Sequence, residues 1–163
     1  MHEEVAASLI ADPDPIDLVF EFRTPSEVLR IANELSTYCT DPLDACTAIS
    51  EIMLNAVEHG NLGIGGELKE RLLHTDGLWN EIEMRLLTAP WRDRLARVEF
   101  KASADAVHVT ITDEGEGFDW RGIPAHPDFS RLNGRGIPLA KALYFDDIRY
   151  NDRGNVCRAI KRF

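Results

Sequence analysis

A chain of 163 residues, 44% hydrophobic and 28% charged, has the composition of one globular domain with a sizeable core. Its formal charge of −10 argues against direct nucleic-acid binding, which normally needs a basic excess, and no apolar run approaches the about 20 residues that span a bilayer. Three cysteines without paired spacing (Cys39, Cys46 and Cys157) and five scattered histidines argue against a disulfide framework or a dedicated metal cage. The acidic N-terminus lacks a basic signal region, which points to the cytoplasm.

Residues 1–17 read as a lead-in punctuated by Pro13 and Pro15. "LVFEFRT" (18–24) alternates as a half-buried strand should. Pro25 and Ser26 open a helix to about Tyr38, with Val28, Leu29, Ile31, Ala32 and Leu35 as its apolar face. Asp41 is placed to cap the next helix, Pro42 suits its first turn, and Gly60-Asn61 is its expected stop. Residues 65–92 form a more polar insert of two helical stretches broken at "TDG". "RLARVEFKAS" and "AVHVTITD" read as strands and "GIPLAKALYF" (136–145) as a helix. The C-terminus reads as a hairpin turning at "NDRG". The order β-α-α-insert-β-β-α-β-β predicts an α/β sandwich over residues 18–163.

Three constellations could carry chemistry. In "CTAISEIMLNAVEHGN", Thr47, Glu51, Asn55 and His59 recur every fourth position, about 6 Å apart along one stripe. A carboxylate there can take a proton and an amide oxygen can ligate a hard cation. The same stripe also fits the solvent face of an amphipathic helix, with Glu58 as a further member. In "TITDEGEGFD", Asp113 ends a strand and runs into Gly115-x-Gly117, where backbone can approach a ligand closely. Asp113 could accept a hydrogen bond from an exocyclic amino group such as adenine's; a surface turn is the plain alternative. In "NGRGIPLAKAL", Gly134, Arg135 and Gly136 feed a helix N-terminus, which favours phosphate. No P-loop, dinucleotide fingerprint or nucleophile elbow is present in the sequence.

Taken together, "E-x-x-x-N-A-x-x-H-G-N", "D-x-G-x-G-F" and "G-R-G-I-P-L" resemble, in order, the N, G1 and G2 boxes of the GHKL (histidine kinase-like) ATPase superfamily. The chain is most similar there to the small anti-sigma factor serine/threonine-protein kinases of bacteria. The resemblance spans residues 18–163, the insert excepted. It implies a Bergerat-type ATP-binding fold, a two-layer sandwich of helices on a mixed, mostly antiparallel sheet. It implies ATP and Mg2+ as cofactors, Glu51 as the catalytic carboxylate and Asn55 as the magnesium ligand bridging the phosphates. Asp113 would read adenine in a pocket shaped by Gly115 and Gly117, and Gly134, Arg135 and Gly136 would form the phosphate-side loop. "DWRGIPAHPDFSRLN" would be a short ATP lid, and His59 a structural rather than catalytic residue.

The implied partners are an antagonist protein phosphorylated on serine, a sigma factor, and a second copy of the chain. A nucleotide-gated binding switch without transfer, and a detached histidine-kinase ATP-binding domain, remain alternatives. The insert departs from the family pattern; it either covers a sheet edge or helix face, or docks a partner through Trp79, Ile82, Leu86 and Trp91.

Overall fold

The computed structural model describes residues 14–130 and 134–163; the lead-in up to Pro13, and Arg131, Leu132 and Asn133 of the expected lid, lie outside them. The elements run β1 (Ile16–Phe22), α1 (Pro25–Ser36), α2 (Pro42–Asn55), a π-helical turn (Ala56–Asn61), α3 (Gly66–His74) and α4 (Leu78–Leu87). They continue with β2 (Ala96–Ala102), β3 (Ala106–Thr112), α5 (Gly136–Leu143), β4 (Asp147–Tyr150) and β5 (Val156–Arg162).

The strands form one sheet in the order β1-β2-β3-β5-β4. Every described pairing is antiparallel, so the sheet is uniform where a partly mixed one was expected. Strict alternation decides its two faces. Ala96, Val98, Phe100 and Ala102 of β2 point into the core with Val107, Val109 and Ile111 of β3. Arg97, Lys101 and His108 point out to solvent. Helices α1, α2 and α5 cover the inner face, where Val28, Ile31, Leu35, Ile49, Ile52 and Met53 are fully buried.

Local chemistry explains where the helices begin. Thr24 caps α1 by accepting from the Glu27 N–H at 3.2 Å, and the Glu27 carboxylate accepts from the Thr24 N–H at 3.0 Å. That reciprocal capping box meets two of the orphan donors at the helix start. Asp41 stands at the N-cap of α2 as expected, but in a left-handed conformation (φ 50°) that leaves its side chain without a capping bond.

The second helix stops at Asn61, as expected, but it first widens from Ala56 into a π-turn, with the Leu62 N–H reaching back to Val57 O at 2.9 Å. Leu62 caps it, and Gly63 takes the left-handed φ of 62° that closes many helices.

The insert forms α3 and α4, and it packs beside the α2 end through Leu68, Leu72 and Leu78. Of the docking anchors expected there, Ile82 is buried in the core and Leu86 and Trp91 pack against it, leaving Trp79 exposed. Thr24→Ala is expected to cost about 1 kcal/mol of stability. Equilibrium urea unfolding would read this as a lower midpoint at constant slope, and an unmoved midpoint would show the capping box to be idle.

Candidate functional site

Glu51 and Asn55 lie one turn apart on α2, and the first residue of α5 meets both. A Cβ added to Gly136 would sit 2.6 Å from Glu51 Oε2 and 3.7 Å from Asn55 Nδ2. With no Cβ at Gly136, the α5 N-terminus, with its free N–H groups, lies directly against the Glu51 carboxylate as it stands, and those groups favour anionic oxygen. Arg135, at the N-cap of α5, adds positive charge felt by Glu51. Gly134 stands apart from this cluster, exposed, and among the described residues beyond its chain neighbours nothing lies within 4 Å of a Cβ placed there.

Glu51 is half-buried, and burial raises its pKa; Lys69 opposes that rise, Glu58 adds to it and Arg135 opposes it. A carboxyl held between burial and cations is poised to exchange a proton.

Deeper in, a cavity opens between the site helix and the sheet. Ile52, Ala56, Ile111 and Phe118 make it apolar, while Asn55, Asp113 and Tyr150 add polar atoms. Asp113 terminates β3 in a tightly specified position. Its N–H donates to Asn155 O at 3.0 Å, its carbonyl accepts from Asn155 Nδ2 at 3.3 Å, and its Oδ1 accepts from the Gly115 N–H at 2.9 Å. Burial lifts this carboxyl from an ordinary 3.8 to about 6, against the pull of the Gly115 N–H, Arg153 and Arg94. The cavity as it stands has room for little more than a water, so a base would have to widen it; its apolar lining with one carboxylate matches the chemistry of a flat heteroaromatic base bearing an amino group.

Glycines make this geometry possible by close approach. A Cβ on Gly60 would lie 2.4 Å from Asp113 Cγ, and one on Gly115 would lie 2.2 Å from Gly60 O. Gly117 takes φ 84° and packs against the Arg153 carbonyl, which a Cβ would strike at 1.9 Å. The Arg153 guanidinium donates to Gly115 O at 3.1 Å, so the β4–β5 turn braces the glycine loop. That turn is itself held by Asn151 Oδ1, which accepts from the N–H groups of Gly154, Asn155 and Val156.

Two members of the helical stripe have other duties. The Thr47 hydroxyl donates to its own helix at Leu43 O. His59 Nδ1 lies 2.5 Å from Ile64 O; a carbonyl only accepts, so Nδ1 carries the proton. Burial and the Lys69 charge both lower the His59 pKa, which keeps the ring neutral and structural. Glu58, which the solvent-face alternative included, is buried against Lys69 of α3. The π-turn, which helical periodicity does not show, and the packing of the insert against it together remove Glu58 from water.

Several contributors escaped the sequence reading. Gly60 and Asn61 were read only as a helix stop; Asn61 Oδ1 accepts from the Glu114 N–H at 2.8 Å and seats the strand end. Tyr150, Asn151 and Arg153 come from a hairpin whose sequence reads as an ordinary turn. The described part of the lid is exposed and is tied to that hairpin by the Trp120 indole, which donates to Asn151 O at 2.8 Å.

No group of three or more metal-ligating side chains occurs among the described residues. The single amide of Asn55 beside the anion-favouring helix start fits a Mg2+ that takes its other ligands from phosphates and water. No helix among the described residues is long and apolar enough to cross a membrane.

Residues 25–161 match the family model of the histidine kinase-like ATPase domain. No curated protein matches the chain.

The Asp113 shift has a definite sign. The folded chain holds this proton more tightly than the unfolded one, so stability declines as pH rises from about 4 to about 6. Asp113→Asn is expected to recover about 2 kcal/mol in thermal or urea unfolding at pH 7.5. Recognition of an amino group needs the ionised form, so ATP affinity should fall as pH drops through about 6. Titration calorimetry across pH 5–8 would test this, and a flat affinity would exclude Asp113 as the reader. Gly60→Ala should abolish nucleotide binding by displacing Asp113, and a variant binding at wild-type affinity would contradict the packing.

Proposed function

The chain belongs to the histidine kinase-like ATPase domain family, and from that premise we propose that it binds Mg-ATP and phosphorylates a serine on a separate protein, as an anti-sigma-type protein kinase. The observation that carries this reading is the convergence of Glu51, Asn55 and the α5 N-terminus at Gly136, beside a cavity that Asn55 and Asp113 both line.

In this reading the base lies in the apolar cavity with its amino group on Asp113, and the phosphates run toward Gly136. Asn55 would hold Mg2+, which supplies charge neutralisation on the phosphate oxygens. Glu51 takes the proton of the serine hydroxyl as its oxygen attacks the γ-phosphorus. The bond from that phosphorus to the β,γ-bridging oxygen breaks, and ADP leaves. Arg135 and the α5 N–H groups offset the developing negative charge.

The substrate would be an antagonist protein, the downstream partner a sigma factor, and the working form a homodimer in the cytoplasm. A nucleotide-gated switch without transfer would use the same pocket, and the exposure of most of residues 119–130 of the lid is the feature that favours it.

Glu51→Gln separates the readings. As a kinase, the variant keeps its ATP affinity and loses about 10²–10⁴-fold in transfer; as a switch, it keeps partner control. The chemistry of the product decides the acceptor. Label on a co-purifying antagonist should survive acid as phosphoserine does, and acid-labile label would instead indicate transfer to histidine.

A further inference from the structure

Of the docking anchors that the sequence marks in the insert, Trp79 is the one left largely in water; it is 56% exposed, while Ile82 is buried. Trp79 lines a groove of about 390 Å3 that shares no lining residue with the site cavity. Three parts of the fold make its walls. Helix α1 gives Leu29, itself 57% exposed, the site helix gives Leu54 and Glu58, and the insert gives Leu72, Asp76 and Trp79. A groove of this size and apolarity lies within the range that holds a ligand or an anchoring side chain, and an exposed tryptophan on its wall is the residue type that most often dominates an interface.

The charged side chains that line the groove are both carboxylates, Glu58 and Asp76. Lys69 offsets Glu58, its Nζ 2.5 Å from Oε2. The other ion pairs within α3 and α4 are His74 with Glu70 and Arg85 with Glu81. Among the described residues Asp76 is therefore unpaired, as is Glu83, one turn beyond Trp79 on the same exposed stripe of α4. Arg30, next to Leu29 in the chain, is paired with Glu34 at 3.9 Å, and the exposed Arg71 of α3 does not line the groove. Apolar walls margined by free carboxylates suit a partner whose apolar face is flanked by cations.

The walls also constrain the backbone of whatever lies there. Helices pair their own N–H and C=O groups, so the groove offers no strand edge, and an extended chain would bury unpaired amides. A helix arrives with its backbone already paired.

We propose that this groove docks an amphipathic helix of a partner protein, its apolar side chains packed on Leu29, Leu54 and Trp79 and its lysine or arginine side chains on Asp76 and Glu83. The insert is then a recognition element, and the dock shares the site helix with the nucleotide pocket, Leu54 standing next to Asn55 in the chain. The proposal holds whether or not phosphate is transferred.

The probe is a fluorescein-labelled peptide of leucine and lysine with leucine at i, i+3, i+4 and i+7, titrated with the full chain and followed by anisotropy. The same peptide with glutamate for lysine, and a scrambled order of the first, are the comparisons. The basic amphipathic probe is expected to bind with a gain of helical circular dichroism, and both comparisons to bind about tenfold more weakly or worse. Trp79→Ala should weaken the probe by about tenfold or more. Asp76→Asn/Glu83→Gln should weaken it severalfold and flatten its salt dependence. These positions are exposed, so the melting temperature should hold. Leu43→Ala, 82% exposed at the start of α2, should change nothing.

Equal binding of the three peptides, wild-type affinity in Trp79→Ala, or as large a loss in Leu43→Ala would each overturn the proposal. A wild-type dimer that Trp79→Ala dissociates in sedimentation would assign the groove to a second copy instead. Tighter probe binding by Leu9→Asp/Ile10→Asp would assign it to the chain's own first residues, and either assignment overturns the partner helix.

Discussion

Much of the molecule depends on a missing side chain. At Gly60 the site helix presses against the end of β3 with no room for a single methyl group: Asp113 Cγ is 2.4 Å from where a Cβ would stand. The approach shields Asp113 from water, and shielding lifts its pKa. Gly115 packs on the Gly60 carbonyl in turn, so the glycine loop starts where the helix ends. The π-turn serves the same contact. It delivers Asn61 to the Glu114 N–H, and wide helical turns of this kind often mark functional sites. Packing so close makes the strand end and the helix a single rigid unit, and a base pocket needs that rigidity.

The insert fastens to this unit and, through Arg23 just past β1, which donates to Leu86 O and Arg92 O, to the edge of the sheet. Arg85 donates to Leu62 O at 2.7 Å, Arg94, just past the insert, donates to Asn61 O at 2.9 Å, and Lys69 meets Glu58. The carbonyls at a helix end lack intrahelical partners and carry partial negative charge, so cations suit them. Arg85 also stacks over Trp91, 4.6 Å from the ring centroid, which ties α4 to the segment leading into β2. The charges around Glu51 therefore come from several elements: Arg135 from the start of α5, Lys69 from α3 and Glu58 from the π-turn.

How much of this was legible in the sequence follows from the range of each interaction. The strands β2 and β3, the helices of the insert and the C-terminal hairpin are written in local periodicity and turn chemistry, and they appear within a few residues of their expected bounds. Glu51 and Asn55 stood out because four-residue spacing on a helix is also local. The burial of Glu58 was not legible because it depends on a helix that begins eight residues later. Tyr150 and Arg153 were invisible because nothing in a hairpin's own sequence says which loop it will lie against.

The sequence by itself determined the types of group available and their order along the chain: a carboxylate and an amide one turn apart, an aspartate ahead of two glycines, and a glycine opening a helix. Those are one-dimensional facts, and composition and spacing carry them. Only the tertiary structure decided which of them meet. Antiparallel pairing sets β5 beside β3, and Gly136 seats α5 on Glu51. The wide turn of the site helix brings Gly60 to Asp113. Contacts between segments far apart in sequence arise from packing a shared core, where volume and close approach, not local periodicity, select the arrangement.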